Sequence, residues 1–298
     1  MEKVTPLTKD NHFENPLKEF WDTFCKNKGA LMGLGIIVFF VAIALLASYI
    51  APFSPSELQE NALRLPPAFL EGGDSRYFFG TDDVGRDLLS RLIYGARISM
   101  GVGFMVVILS ASVGTVLGLL AGYLGGKVDW LIMRLVDILM AFPSILLAIV
   151  VVSVMGPGLM NAIVAVAVVA CPTFIRIVRA SAMGERKKQY VMASKTFGAS
   201  PVRIMFSEIL PNCMAPLIVQ ISLGFSDGIL NSAALGFLGL GAQAPTPEWG
   251  IMLADARAYI SSDPWLVTLP GLCILLVVLG FNLFGDGLRD TLDPRLKK

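Results

Sequence analysis

Six stretches of this chain contain no Asp, Glu, Lys or Arg: 29–56, 98–126, 138–175, 209–226, 228–247 and 264–285. Together they hold 155 of the 298 residues. An apolar run of about 18 or more residues reads as a membrane span, because only a helix of that length satisfies its own backbone across the hydrocarbon core. With 55% hydrophobic residues, 16% charged residues and a net charge of +1, the composition excludes a disordered chain and a nucleic-acid binder. The expected class is an all-α polytopic membrane protein. Cys25, Cys171, Cys213 and Cys273 stand far apart, and His12 is the single histidine, so free thiols and no metal site are expected. Residues 1–29 are too charged for a signal peptide, which points to an uncleaved first span.

The first span is expected at Ala30–Ile50, closed by Pro52 and Pro55, and the second at Ile98–Leu124. Run 138–175 is too long for one crossing and carries Gly156-Pro157-Gly158 at its middle. It therefore divides into Ile138–Val154 and Leu159–Ile175, a tight hairpin. Stretch 209–247 reads as one span with Asp227 inside it or as two short ones with Asp227 at the turn. One span and a cytoplasmic N-terminus put 18 Lys and Arg inside and 6 outside, whereas two spans give 15 against 9. The excess of cationic residues in cytoplasmic loops favours one. Six transmembrane helices result, with both termini cytoplasmic. The segments are a tail at 1–29, a first helix at 30–50, an outside segment at 51–97, a core of five helices at 98–285 with a cytoplasmic loop at 176–211, and a tail at 286–298.

Leu17, Phe20, Trp21 and Phe24 recur at helical spacing ahead of the first span, the pattern of an interfacial amphipathic helix. Gly114, Gly118, Gly122 and Gly126 recur every four residues, which strips one helix face and lets another helix approach. Such a ladder is a packing surface first and a dimer interface only sometimes.

Enzyme and motor chemistry find no residues to carry them. The pair Gly126-Lys127 has Ala121 and Val128 where a phosphate-binding loop needs Gly and Ser or Thr. There is no HExxH or GxSxG, and His12 lies in a polar tail. Energy must come from a gradient or from another subunit. Asp227, with Ser226 and Asn231 near it, is an intramembrane carboxylate and so a candidate for the translocation pathway. It reads equally as a structural carboxylate holding helices together. A proton-coupled secondary carrier would use Asp227, although a single carboxylate makes a thin relay.

Loop 176–211 opens with Arg176, Arg179, Arg186, Lys187 and Lys188, which fix topology. Tyr190, Ala193 and Phe197 then share a helix face, Gly198 is placed to end that helix, and Ser200-Pro201 starts a second one. Val202, Met205, Phe206 and Ile209 form one face of the second helix before Leu210-Pro211. Two short helices meeting at a glycine turn with apolar faces suit docking into a groove on a soluble partner.

The run from Tyr190 to Gly198, followed by Leu210-Pro211, resembles the EAA coupling loop of ABC-importer permeases, EAAxxxG and then IxLP. Ala193, Gly198, Leu210 and Pro211 match, Ser194 is a near match, and Met192 and Glu208 depart from the Glu and Ile of the pattern. Gly80-Thr81-Asp82-Asp83-Val84-Gly85-Arg86-Asp87-Leu88-Leu89-Ser90-Arg91, Ala234–Gly241 with Pro245–Gly250, and Gly285–Asp290 with Leu292-Asp293-Pro294 resemble the C-type permease subunit of peptide importers. The likeness runs from about residue 15 onward.

This resemblance implies a type I ABC importer permease (MetI-like) fold in a bacterial inner membrane, with membrane lipid around it. It also implies a B-type permease as heterodimer partner, two cytoplasmic ATPase subunits that carry ATP and Mg, and a periplasmic peptide-binding protein, with no cofactor on this chain. Dipeptides or related small peptides are the implied cargo, and importers for oligopeptides, nickel and haem-type substrates share these loops. Tyr190, Ala193, Ser194, Phe197, Gly198, Val202, Met205 and Phe206 become the implied ATPase-coupling residues. Asp82, Asp83, Arg86, Asp87, Glu248 and Trp249 become an outer gate or a face for the binding protein. From the residues alone, Thr81 or Asp82 caps an interfacial helix in which Asp87 and Arg91 form an i,i+4 pair, with Leu88, Leu89, Leu92 and Ile93 on its apolar side.

Overall fold

The computed structural model describes residues 16–59 and 62–292. His12 and Asp293-Pro294 lie outside the described residues. Among the described residues the chain is helical, with one isolated antiparallel bridge between Thr81 and Asp87. Five helices are long and apolar enough to cross a membrane: α2 (Lys28–Ile50), α3 (Leu88–Leu124), α6 (Leu159–Glu185), α10 (Met214–Phe237) and α12 (Trp265–Leu292). A sixth crossing is made if α4 (Gly126–Met140) and α5 (Ser144–Met155), bent by 96°, count as one broken span.

That break corrects the expected Ile138–Val154 helix, whose first three residues belong to α4. Pro143 supplies the reason: it has no N–H for the helix ladder and disfavours helical backbone at Phe142. The turn at Gly156-Pro157-Gly158 is where the sequence puts it, with both glycines at positive φ (89° and 149°) and Asn161 donating to the carbonyls of Met155 and Gly156, 3.0 Å each.

The 209–247 stretch contains one uninterrupted spanning helix, α10, with Asp227 inside it. The second span begins ten residues earlier than expected, since α3 runs unbroken from Leu88. At 1.5 Å per residue its 37 residues extend about 55 Å, well beyond a hydrocarbon core about 30 Å thick. The expected interfacial helix is therefore the first turns of a span that projects from the membrane.

The glycine ladder is used within the chain. A Cβ on Gly118 would stand 2.8 Å from Val178 Cβ, and one on Gly122 2.7 Å from Ala182 Cβ, while Gly114 meets Phe174. Rows of glycine on α3 thus receive the side chains of α6, and Leu119, Phe174, Val178 and Ala182 join one buried core. Gly126 leaves the ladder: at φ 56° it starts α4, and a Cβ there meets nothing within 4 Å. Two ion pairs then tie α4 to α6, Arg179 with Asp129 and Arg176 with Asp137 (2.8 Å).

The first helix, α1 (Pro16–Lys26), does more than lie at an interface. Phe24 is buried and meets Phe284 of α12 edge to face at 5.7 Å between ring centroids, while Trp21 stays exposed. Buried Leu288 completes this small core beside Ala30.

Candidate functional site

Three places collect the residues that the sequence singles out: an elbow between α6 and α10, a polar cleft beside α10, and a buried polar cap built from 51–97 and the chain after α10.

The elbow begins with α7 (Gln189–Thr196). Gly198, at φ 80°, closes it: its N–H donates to the Lys195 carbonyl (3.1 Å), and the Ala199 N–H reaches the Ser194 carbonyl (3.0 Å). This is the paired hydrogen bonding of a Schellman stop, which calls for left-handed backbone and hence glycine. Ser200 caps the next helix by accepting from the Arg203 N–H, and Pro201 occupies its first turn.

That second helix is not uniform. One turn of α8 (Pro201–Arg203) leads into a π-helical segment, Ile204–Ile209, and then α9 (Leu210–Asn212). The wider π turn changes which side chains share a face. Val202 and Phe206 point outward with Phe197, at 62%, 43% and 90% exposed, and Ala193 is also exposed. Met205 does not join them. It is buried in the main core with Val191, Ile204 and Ile209, which corrects its expected place on the docking face. The elbow thus has a core-anchored inner side and a bare apolar knob outside. Ser194 is half-buried beside the turn.

Tyr190 is 37% exposed, and its hydroxyl donates to Glu185 Oε2 at 2.7 Å. Lys188 pairs with the other oxygen of Glu185, also at 2.7 Å. Burial and then the Glu185 hydrogen bond push the Tyr190 phenol above its ordinary pKa, so it remains a neutral donor. The sequence reading missed Glu185. Its signal is a carboxylate within the basic loop, with Lys and Tyr three and five residues later.

The cleft has a volume of about 260 Å³ and brings Asp227, Asn231 and Gln220 of α10 beside Thr173 of α6 and Ser144 of α5. Asn231 donates to the Asp227 carbonyl at 2.8 Å, one turn below it. The Asp227 carboxylate is exposed to the cleft and makes no hydrogen bond or ion pair with a described residue. Ser226 is not part of this place: it turns away, is buried, and donates to the Val278 carbonyl on α12. Gln220, seven residues before Asp227 and so on nearly the same helix face, could have been read from spacing.

In the cap, Asp82 is the hub. It accepts from Arg86 Nε at 2.6 Å and forms an ion pair with Arg91 Nε at 3.3 Å, and Arg91 donates to the carbonyls of Pro55 and Pro245, 3.2 Å each. The expected Asp87–Arg91 pair is absent because Asp87 serves as the N-cap of α3, accepting from the Ser90 N–H at 2.7 Å. Asp83 and Asp255 flank Arg86 at 3.9 and 4.0 Å. Across the cap, Glu248 caps α11 (Trp249–Ala256) through the Ile251 N–H and accepts from Ser99 Oγ of α3. Burial raises the Glu248 carboxyl above its usual range, against the pull of its backbone and Ser99 donors. Trp249 is fully buried over Gly95, where a Cβ would lie 2.6 Å from its ring, and donates to the Leu92 carbonyl.

Five of the six cap residues expected at a gate or a contact face are therefore buried, and Asp83 is half-buried. Inward orientation removes the five from any contact face and makes them the ties between α3, α11 and the 51–97 segment. Arg91→Met should destabilise the fold by about 3 kcal/mol, since it leaves Asp82 buried with one cation fewer. Adding Asp82→Asn should recover part of that loss. Thermal unfolding of the purified protein in detergent reads both, and an unchanged melting temperature for Arg91→Met would remove the hub from the cap.

The described residues form a helical membrane domain with a glycine-turned elbow at one end, and no group of His, Cys, Asp and Glu among them could hold a metal ion. Residues 114–298 match the family described as binding-protein-dependent transport system inner membrane component, and residues 15–67 match the N-terminal TM domain of oligopeptide transport permease C. The chain belongs to this family of ABC-importer permeases.

Among curated relatives, the dipeptide transport system permease protein DppC of Haemophilus influenzae is 55% identical over 294 residues, covering 99% of each chain. Its counterpart in Escherichia coli K12 is 56% identical over 283 residues, 95% of this chain and 94% of that one. The di/tripeptide transport system permease protein DppC of Pseudomonas aeruginosa is 55% identical over 285 residues, 96% of this chain and 94% of its own. Of solved structures, the MetNI methionine ABC transporter in inward-facing form shares the fold, with a TM-score of 0.55 at 21% identity over 68% of this chain and 96% of that chain.

Proposed function

We propose that this chain is the C-type permease half of an ATP-driven importer of dipeptides and related small peptides. The observation that carries the cargo is the 55% identity, end to end, with a dipeptide permease. In this reading the chain pairs with a B-type permease, receives peptide from a periplasmic binding protein, and is driven by two cytoplasmic ATPases that hold ATP and Mg. The elbow then lies in the cytoplasm, both termini are cytoplasmic, and the cap faces the periplasm.

The division of the elbow into two sides supports its assignment as the coupling element. Phe197, Val202 and Phe206, with Ala193 and Tyr190 beside them, would enter a groove on an ATPase. Gly198 and Ser194 would hold the turn that presents them. Met205 acts differently from its neighbours: with Val191, Ile204 and Ile209 it anchors the elbow to the spanning helices. Motion of the ATPase would then be passed as a rigid displacement to α6 and α10, between which the cleft with Asp227 and Asn231 opens.

Reconstitution of the four membrane-associated subunits in proteoliposomes with the binding protein should give ATP-dependent uptake of labelled alanyl-alanine. Uptake driven by a proton gradient without ATP would establish the carrier reading instead. In whole cells Lys195→Cys should resist an impermeant thiol reagent, and its labelling from outside would invert the topology.

A further inference from the structure

We infer that Asp227 is the point at which the α-ammonium group of the peptide is held during passage through the membrane. The inference rests on the importer reading and specifies what its cleft recognises. Asp227 interrupts two charge-free stretches, 209–226 and 228–247, and so places a carboxylate within a spanning helix. A charge at that depth is costly unless it is paired or faces a water-filled cavity. Here it faces a cavity, and the described residues that line it supply no counter-charge. The polar groups sharing the cleft, Ser144, Thr173, Gln220 and Asn231, are all neutral, and no lining residue is Lys, Arg or His.

The opposite face of α10 makes the same point from the other side. Phe225 stacks on Phe281 of α12 at 3.8 Å between centroids, and Ser226 bonds the Val278 carbonyl. Those contacts hold α10 against α12 without Asp227. A structural carboxylate would find a donor on a neighbouring helix, and Asp227 has none among the described residues.

A negative group facing neutral hydrogen-bonding side chains is complementary to a primary ammonium. One of its three N–H groups would meet the carboxylate in a charge-assisted bond, and the others are matched by the amide oxygens of Asn231 and Gln220. The ammonium is the group that every peptide with a free amino end has in common, whatever its side chains. A cleft that grips it leaves side-chain discrimination to the binding protein. Gln220 also lines the adjoining groove bounded by Asn212 and Arg289, so the cleft leads on toward the elbow end of the bundle.

The test uses the reconstituted complex with binding protein and ATP. Asp227→Asn should lower alanyl-alanine uptake about tenfold, while ATPase stimulation by loaded binding protein stays near the wild-type level. Asp227→Glu should retain most of the uptake. Wild-type uptake by Asp227→Asn would overturn the inference, and so would equal loss in Asn and Glu variants together with loss of stimulation, which marks a structural role. Should Asp227→Asn fail to assemble, Asn231→Cys in the otherwise native complex decides. Its labelling by a cationic thiol reagent, read at that residue by mass spectrometry, should be slowed by dipeptide during turnover, and unslowed labelling would refute the site. If the wild-type complex itself takes up no dipeptide with ATP, the importer reading has failed and the inference falls with it. Wild-type uptake with an indifferent residue 227 is the distinct result in which only the inference fails.

Discussion

Replacing Gly198 with leucine is expected to abolish peptide-stimulated ATP hydrolysis and peptide uptake while the subunit still inserts and folds. Two observations separate the effects. A Cβ at position 198 meets nothing within 4 Å, so the chain has room for the new side chain. The backbone there is left-handed at φ 80°, which costs a residue with a Cβ about 1 kcal/mol or more. That strain is small beside the stability of a domain. It acts, however, on the stop that sets the angle between α7 and α8, and leucine projects into the space beside Phe197. Loss of one well-packed interface anchor costs on the order of 2 kcal/mol, about thirtyfold in affinity. The purified variant should therefore form the complex poorly or hydrolyse ATP without response to loaded binding protein. Wild-type stimulation with leucine at 198 would reduce the elbow to a connector.

A larger effect, of another kind, is expected at Gly118. Its missing side chain is filled by Val178, and the Ile175 carbonyl oxygen would lie 2.9 Å from a Cβ there. Backbone cannot step aside as a flexible side-chain end can, and overpacking a tight contact costs about 1–3 kcal/mol even where side chains do yield. Gly118→Leu must push α3 and α6 apart, opening the most extensive helix contact among the described residues and the core of Leu119, Phe174 and Val178. The expected result is loss of the protein from the membrane fraction. Gly101→Leu is the control, on the same helix but with nothing within 4 Å of its Cβ position, and should accumulate normally. Equal abundance of the two variants by immunoblot would mean that the ladder is not a packing surface.

The features legible in the sequence are those whose physics closes over a few residues. Long apolar blocks must become helices in a membrane, because no other local arrangement satisfies the backbone there. The stop at Gly198, the cap at Ser200 and the turn at Gly156-Pro157-Gly158 each depend on neighbours within one or two turns, and each is found where the residues put it. The break at Pro143 was equally local. The charge-free length of 138–154 masks it, because hydropathy is the same for a straight span and a broken one.

The tertiary structure decided what depends on partners distant in the chain. Sequence spacing offers Arg91 only Asp87, one helical turn away, and the pair forms instead with Asp82, nine residues away, because Asp87 caps the N-terminus of α3 while Pro55 and Pro245 converge on the guanidinium. Val202 and Met205 belong to one face by α-helical spacing, and a π turn together with the core beside it separated them. The glycine ladder specifies a close approach without naming the helix that makes it, and α6 supplied the answer. Ser226 and Asp227 are adjacent in sequence, yet one bonds α12 and the other opens on a cleft. In each case the residues present several groups capable of the same contact, and the winner is set by which backbone and side chains arrive from elsewhere in the fold. Local hydrogen-bonding and burial demands therefore determined the elements of this protein, and long-range packing determined which of their faces are buried, paired or left open for function.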